Sequence, residues 1–189
     1  MHPRRGRKGR RRRISRLVPH QATVAPAFCQ CRVVGCGHDC ASAAGKVSPD
    51  NVDAACRLKV RPEQEGVVAP VVRSLADAYA HGEAAWPRLI FDGDQLVGFV
   101  MGGFDPDSPV DAFRCGIWRL NIAAEQQGRG YGRFAVEAVC AEASHRGQRR
   151  VTVLWVPHVH GPADFYLRLG FRPTGERIQG QILGELALT

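Results

Sequence analysis

A glycine-rich segment at residues 127–132 constrains this chain more than any other part of its sequence. It reads Gln-Gly-Arg-Gly-Tyr-Gly, it follows a strand-like stretch at 115–123, and it precedes a helix-like stretch at 130–145. The first N–H groups of a helix have no partner within the helix, and the helix dipole adds partial positive charge there. The three glycines leave out Cβ atoms that would keep a ligand away from those groups. The segment therefore predicts an anion site, with a diphosphate as the natural ligand and a plain strand–helix turn as the alternative.

The neighbouring residues narrow the kind of diphosphate. Arg129 and Arg133 add positive charge to the predicted site. A P-loop needs Gly-Lys-Ser/Thr, which is absent. A dinucleotide fingerprint needs a third glycine where Arg133 stands, and it also needs an acid at the end of the next strand. Both nucleotide interpretations are weakened.

The hydrophobic pattern of the remaining body predicts a layered fold. Helices are expected from residue 48 to about 60, at 71–80, at 130–145 and at 163–169, and strands at 86–91, 95–104, 115–123, 151–156, 171–173 and 181–188. The strands on either side of the third helix must be parallel neighbours under the right-handed crossover rule, whereas the short connections elsewhere favour antiparallel pairing. The prediction is an α/β (α+β) fold in which helices flank a mixed, mostly antiparallel central sheet.

The positive charge of the chain is concentrated at its N-terminus. Residues 1–46 hold 11 Lys and Arg against one acid, whereas residues 47–189 hold 15 against 17. Such a basic run cannot bury itself, so residues 1–45 are expected to be a disordered extension ahead of a domain at 46–189. The extension has three open interpretations: a mis-annotated start, a contact for nucleic acid, or a targeting segment.

The seven cysteines do not suggest a disulfide framework. An odd number without regular spacing favours a reducing compartment, and we expect a cytoplasmic protein. Four cysteines and a histidine between residues 29 and 40 supply zinc-ligand types, but their spacing does not match paired CxxC knuckles, so no metal is predicted. No apolar run approaches the roughly 20 residues needed to cross a bilayer, so no membrane partner is expected either.

Residues 46–188 resemble the GNAT superfamily of acyl-CoA N-acyltransferases. The family's Gln/Arg-x-x-Gly-x-Gly/Ala loop is matched by Gln127, Gly130 and Gly132, and its Phe-Tyr-x-x-x-Gly-Phe motif by residues 165–171. Segments at 60–70 and 118–120 resemble the bacterial diamine and polyamine (spermine/spermidine-type) N-acetyltransferase subgroup. The resemblance implies the GNAT fold and an enzyme that moves an acetyl group from acetyl-CoA to a primary amine by direct attack.

The resemblance also assigns roles to particular residues. It places the pantetheine arm of acetyl-CoA on one strand segment and the pyrophosphate on the glycine loop, and it makes Tyr166 the general acid. The residues implied for the cofactor are Leu120, Asn121, Ile122, Gln127, Gly128, Arg129, Gly130, Tyr131 and Gly132. A phenol with a pKa of about 10 suits protonation of a thiolate leaving group whose thiol pKa is about 8.5.

The acceptor side is less clearly marked. Glu63 and Glu65 can attract a polycationic amine, and Trp118 can offer a cation–π face. The general base is left open among Glu65, Asp92, Asp105, His158 and a water chain. Acetylation of a protein N-terminus or lysine is an alternative activity, and a non-catalytic acetyl-CoA-binding module is another. The assembly is left open between a monomer and a homodimer.

The first strand departs from the family pattern. Members begin with an apolar strand just before the first helix, whereas residues 41–47 read Ala-Ser-Ala-Ala-Gly-Lys-Val, which is weak strand material. We therefore expect either that residues 31–36 replace this strand or that the strand is missing.

Overall fold

A computed structural model describes residues 42–188 of the chain. The basic run, the cysteine cluster between residues 29 and 40, and the alternative strand at 31–36 lie outside the described residues. Predictions about them stay predictions.

The described residues form a seven-stranded sheet with helices on both faces. The elements are β1 (Ser42–Gly45), α1 (Val52–Arg57), α2 (Val71–His81), β2 (Ala85–Asp92), β3 (Gln95–Gly103), β4 (Gly116–Ile122), α3 (Tyr131–His145), β5 (Arg150–Trp155), α4 (Ala163–Arg168), β6 (Arg172–Ile178) and β7 (Gln181–Ala187). The strand order is β1-β2-β3-β4-β5-β7-β6, and only β4 and β5 are parallel. This confirms the predicted mixed, mostly antiparallel sheet.

The first strand is present, at residues 42–45. Ser42 pairs with Asp92 and Gly45 with Leu89, so β1 extends the sheet beyond β2. Residues 42–45 have low β-propensity, and pairing with the apolar strand β2 stabilises them as a strand. The first strand is therefore not missing. The predicted domain start at residue 46 falls directly after this strand.

Both early helices differ in detail from the sequence prediction. Helix α1 ends at Arg57 rather than near residue 60, and the carbonyl of Lys59 instead accepts a hydrogen bond from the amide of Ala124 (3.0 Å). Helix α2 begins at the predicted residue and ends at His81, one residue beyond the prediction, and it buries Val71 and Ser74 and exposes Tyr79. Ser74 can be buried because its hydroxyl donates to the carbonyl of Pro70 (3.3 Å), which the apolar pattern alone does not reveal.

Two apolar cores hold the helices to the two faces of the sheet. Helices α3 and α4 pack on one face through residues such as Val139 and Tyr166. Helices α1 and α2 pack on the other face through Ala55 and Val71 against Phe99. Within residues 42–188, no helix is both long enough and apolar enough to span a membrane.

Candidate functional site

The sheet opens between β4 and β5. These parallel strands pair only where they begin, Gly116 with Thr152 and Ile117 with Val153. Beyond those residues, β4 keeps its pairing with β3, and β5 keeps its pairing with β7. A gap therefore widens toward the carboxyl ends of β4 and β5, which is the edge where open α/β sheets bind ligands.

Two residues of β4 turn their backbone groups toward this gap. The amide of Ala123 donates to the carbonyl of Val97 (2.9 Å), and Asn121 is the register partner of Phe99. Since hydrogen-bonding direction alternates along an antiparallel strand, Asn121 bonds to β3 whereas Leu120 and Ile122 face the gap. The backbone groups of Leu120 and Ile122 therefore face the gap, where the Ile122 carbonyl accepts from the Gln127 side chain (3.1 Å). The pantetheine contacts predicted for Leu120, Asn121 and Ile122 stay predictions.

Asn121 is directed to the other face of the sheet. Its side chain is 2% exposed, and its Nδ2 donates to the carbonyl of Ala69 (3.0 Å). The side chain therefore fastens the connection between α1 and α2 to the sheet. Its Oδ1 is buried without a hydrogen-bond partner among the described residues.

The glycine loop leads from the end of β4 into the first turn of α3. Gly128 has a φ of 83° and Gly130, the N-cap of α3, has a φ of 94°, a region that only glycine adopts at low cost. Among residues 42–188, the N–H groups of Gly128, Gly130 and Gly132 have no backbone or side-chain partner. Three unpaired donors at the positive end of a 15-residue helix are suited to a diphosphate.

The glycines of this loop are required for two different reasons, backbone conformation and close packing. A Cβ on Gly128 or Gly130 would meet nothing within 4 Å, so the positive φ is the reason there. A Cβ on Gly132 would lie 3.1 Å from the Phe165 ring, so this glycine lets α3 approach α4 closely. Arg129 and Arg133 are exposed beside the unpaired amides.

Two predicted cofactor residues use their side chains to hold the loop. The Gln127 Nε2 donates to the carbonyl of Ile122 (3.1 Å) and to the Oε1 of Gln64 (2.7 Å). The Tyr131 hydroxyl bonds to Asp92 in the β2–β3 hairpin (2.5 Å). Both side chains are engaged within the protein, and the Tyr131 bond engages Asp92, one of the candidate bases. The cofactor roles predicted for Gln127 and Tyr131 stay predictions.

Tyr166 lies on α4 inside an aromatic cluster. Its ring stacks on Trp155 with centroids 5.8 Å apart and contacts the edges of Phe165 and Phe171. The residue is 4% exposed, and no described residue hydrogen-bonds to its hydroxyl. Burial raises the pKa of the Tyr166 phenol above its usual value, so the group stays protonated and able to donate.

Trp118 forms a β-bulge on β4. Arg119 is the partner of Met101 and Ile117 the partner of Gly102, so Trp118 is the extra residue between them. The Trp118 ring packs onto Gly103 and contacts His81 at 5.0 Å between centroids. Trp118 therefore lies on the α2 side of the sheet, half-buried, with part of its ring committed to packing.

The next residue, Arg119, is held by an ion pair. Its Nη2 lies 3.2 Å from Asp77 Oδ2, and its Nη1 donates to the carbonyl of Trp118 (2.7 Å). Asp77 also accepts from Arg73, and this bond, aided by the charges of Arg73 and Arg119, lowers the pKa of Asp77. The carboxylate of Asp77, on the α2 side of β4, is thus paired with two arginines.

The predicted acidic residues lie in the connection between α1 and α2. Residues Pro62–Gln64 form a short 3₁₀ turn in which Glu63 is exposed, and Glu65 follows, also exposed. The Gln64 side chain bonds to Gln127, so this turn lies beside the glycine loop. The structure thus brings Glu63 and Glu65 to the carboxyl end of β4.

The remaining candidate bases are spread over the molecule. Asp105 lies in the β3–β4 loop, at the end of the sheet opposite the glycine loop. His158 is exposed in the β5–α4 loop, with its ring 5.7 Å from that of His160. The structure singles out none of them, and no group of metal-ligating side chains occurs within residues 42–188.

Sequence reasoning missed two features of the site. Gln64 is one, because nothing in its position in a turn after Arg61-Pro62 indicates a partner 63 residues away. The opening of the sheet is the other, because strand periodicity reports which faces are buried but not how far two strands remain paired.

The described residues combine a sheet that opens between β4 and β5, unpaired amides at the start of α3, and the buried phenol of Tyr166 on α4. The sequence profile of the Acetyltransferase (GNAT) family matches residues 53–171, which is more than half of the chain. The chain belongs to the GNAT acetyltransferase family and is an acetyl-CoA-dependent N-acetyltransferase. A comparison with curated protein sequences found no significant match.

Solved structures of other proteins share the fold at low sequence identity. An acetyltransferase from Thermus thermophilus has a TM-score of 0.59 and 22% identity over 78% of this chain and 97% of its own. The ribosomal-protein-S18-alanine N-acetyltransferase of Escherichia coli has a TM-score of 0.55 and 15% identity over 77% and 93%. The N-acetylglutamate synthase of Neisseria gonorrhoeae, complexed with coenzyme A and N-acetyl-glutamate, has a TM-score of 0.58 and 15% identity over 78% and 35%. These similarities show a common fold.

Proposed function

We propose that this protein transfers the acetyl group of acetyl-CoA to a primary amine of a small diamine or polyamine. The observation that carries the proposal is the juxtaposition of unpaired amides at the start of α3 with the gap between β4 and β5. A ligand with a diphosphate at one end and an extended amide-containing arm matches both features at once. Acetyl-CoA is such a ligand.

The donor can be placed on this frame residue by residue. The amides of Gly128, Gly130 and Gly132 hold the pyrophosphate, and Arg129 adds charge beside it. The pantetheine arm lies in the gap and meets the backbone groups of Leu120 and Ile122, as an added strand would. This placement directs the thioester toward the opened part of the sheet, where Tyr166 lies on the α4 side.

The reaction needs few groups from the protein. A neutral amine attacks the thioester carbonyl carbon, a C–N bond forms, and the oxyanion is stabilised by a strand N–H. The C–S bond then breaks and the thiolate takes the proton of the Tyr166 hydroxyl. The nitrogen of the new amide releases its extra proton to solvent, and a proton from solvent restores the Tyr166 hydroxyl. Burial makes Tyr166 a weaker acid than a free phenol, but the same apolar surroundings raise the proton affinity of the thiolate.

The choice of a polyamine rests on the charges near the acceptor side. Glu63 and Glu65 are exposed carboxylates beside the carboxyl end of β4, and they can attract an acceptor that carries a second cationic nitrogen. Asp77 pairs with both Arg119 of β4 and Arg73, so this cluster keeps one net positive charge, and the attraction of a polycationic acceptor is assigned to Glu63 and Glu65 alone. We therefore expect spermidine and putrescine to be better acceptors than monoamines of similar length.

The test is release of free CoA from acetyl-CoA with a panel of acceptors. The panel contains spermidine, putrescine, butylamine, a peptide with a free N-terminal amine, and a lysine peptide with a blocked N-terminus. We expect spermidine or putrescine to give the highest kcat/KM, and neutralising both acids (Glu63→Gln with Glu65→Gln) to raise their KM about 5-fold. Asp107→Asn is the matched control, an exposed acid at the opposite end of the sheet.

Three results would contradict this proposal. Turnover only with the peptides would reassign the acceptor to protein amines. CoA binding without turnover for any acceptor would indicate a non-catalytic acetyl-CoA-binding module. Equal KM values in the double variant and in Asp107→Asn would remove Glu63 and Glu65 from acceptor binding.

A further inference from the structure

The connection between α1 and α2, residues 58–70, is hydrogen-bonded at three points to the end of β4 and the loop that follows it. Near its start, the Lys59 carbonyl accepts from the Ala124 amide (3.0 Å). Near its end, the Ala69 carbonyl accepts from the Asn121 side chain (3.0 Å). Between them, the Gln64 side chain bonds to that of Gln127. The connection therefore lies across the carboxyl end of β4 instead of extending into solvent.

The contact between Gln64 and Gln127 differs from the other two because it joins two side chains. Gln64 and Gln127 form a reciprocal amide pair, since each Nε2 faces the other Oε1, at 2.7 and 3.3 Å. The Gln64 Oε1 also accepts from the Arg61 amide (3.3 Å), which fixes the 3₁₀ turn that carries Glu63. Gln127 directly precedes Gly128, whose amide is among the unpaired donors of the glycine loop.

We infer that the Gln64–Gln127 amide pair transmits donor binding to the α1–α2 connection, so that acetyl-CoA fixes the turn that faces the acceptor. Gln64 is thus a positioning residue: it acts through Gln127 and touches neither reactant. This inference rests on the proposed donor site at residues 128–132.

The physical reason lies in the stiffness of the loop. Gly128 and Gly130 give the loop conformational freedom, and phosphates bound to its amides remove that freedom. A fixed Gln127 holds its partner amide in one geometry, and the turn at residues 62–65 is held in turn through the Gln64 Oε1. By linkage, an acceptor that needs the fixed turn binds more tightly to the donor-bound protein, and the donor gains the same factor.

The experiment is hydrogen exchange by mass spectrometry on the full chain with and without CoA, the unreactive product. Two peptides are compared, one reporting the amides of residues 127–134 and the other those of residues 63–69. The variants are Gln64→Met, which has a similar length but cannot form the pair, and Gln64→Glu, which keeps the oxygen that accepts from Gln127. Gln148→Met, in the α3–β5 loop at the far end of the sheet, is the matched control.

We expect CoA to slow exchange in both peptides of the wild type and of Gln148→Met, by about 5-fold or more at residues 63–69. In Gln64→Met, residues 127–134 should remain protected and the CoA Kd should change less than 2-fold, while protection of residues 63–69 is lost. Gln64→Glu should keep it. In turnover assays, Gln64→Met should raise the acceptor KM and leave the acetyl-CoA KM unchanged, a split that general destabilisation does not produce.

The inference is overturned if residues 63–69 are unprotected in the wild type while residues 127–134 are protected. It is also overturned if protection of residues 63–69 survives in Gln64→Met. Absence of protection at residues 127–134, together with no binding heat for CoA, would instead overturn the donor site itself. Should Gln64→Met fail to fold, Gln64→Asn withdraws the amide by one methylene and carries the same expectations.

Discussion

At the level of single residues, the proposed chemistry depends most on the hydroxyl of Tyr166. We expect Tyr166→Phe to lower kcat by about 10²-fold, because the thiolate then leaves without its proton donor, while the Kd for CoA stays within 2-fold. Release of CoA and isothermal calorimetry measure the two quantities. Because no described residue bonds to this hydroxyl, its loss should change the unfolding free energy by less than about 0.5 kcal/mol.

The matched control for that substitution is Tyr79→Phe. Tyr79 is 93% exposed on α2, so removing its hydroxyl should leave turnover unaltered. Unchanged kcat in both variants would exclude Tyr166 as the general acid. A fall in kcat accompanied by weaker CoA binding would indicate that the aromatic cluster shapes the donor site instead.

The burial of Tyr166 also predicts the pH dependence of the reaction. Its pKa is raised by desolvation, so the protonated acid persists to higher pH than in a free phenol. The acceptor must be neutral to attack, and a primary amine deprotonates with a pKa near 10. We expect kcat/KM for spermidine to rise from pH 7 to pH 10 without an alkaline decline. A declining limb below pH 10 that disappears in Tyr166→Phe would contradict this assignment.

At the level of elements, the junction of β4 with α3 depends on a backbone conformation that most residues avoid. Gly130 caps α3 with a φ of 94°, so Gly130→Ala should cost roughly 1–2 kcal/mol of stability. To relieve that strain, the loop must rotate the amides that face the phosphates. We expect the CoA Kd, measured by calorimetry, to increase about 10-fold.

Gly147, just beyond the other end of α3, provides the control. It has a φ of 74°, and a Cβ there would also meet nothing within 4 Å. Gly147→Ala should therefore lose a similar amount of stability in thermal unfolding without weakening CoA binding. Equal CoA affinities in the two variants would show that the conformation of Gly130 is not needed to hold the donor.

The elements also show what the sequence can and cannot reveal. The crossover from β4 through α3 to β5 was predictable, because glycines, a helical pattern and an apolar strand follow one another directly. The strand at residues 42–45 was not, since its stability comes from pairing with β2 and not from its own residues. The burial of Ser74 on α2 was not predictable either, because it depends on one local hydrogen bond.

The candidate site divides along the same line. The unpaired amides of Gly128 and Gly130 follow from the motif, because a helix start always leaves such donors. The separation of β4 from β5 and the pairing of Gln64 with Gln127 are tertiary features, set by residues far apart in the chain. The motif thus predicted the backbone groups of the loop correctly but not the side-chain role of Gln127.

At the level of the whole molecule, the excess positive charge and the proposed site lie in different parts of the chain. Residues 1–46 hold 11 of the 26 Lys and Arg, whereas the described fold carries the glycine loop, the opened sheet and Tyr166. A truncation that tests this separation must keep Ser42–Gly45, because β1 covers the edge of β2. Removal of residues 1–40 meets this condition, whereas removal of residues 1–46 does not.

We expect the chain lacking residues 1–40 to transfer acetyl groups to spermidine within 2-fold of the full chain, because every residue that the proposed site uses lies within residues 42–188. Any affinity of the full chain for duplex DNA should disappear with these residues, and in the full chain it should fall at least about 10²-fold between 50 and 200 mM salt, as phosphate neutralisation requires.

Removing residues 1–46 should also lower the melting temperature, since it exposes an edge strand. If the chain lacking residues 1–40 loses turnover at an unchanged melting temperature, residues 1–40 take part in catalysis, because neither the sheet nor the glycine loop would then explain the loss.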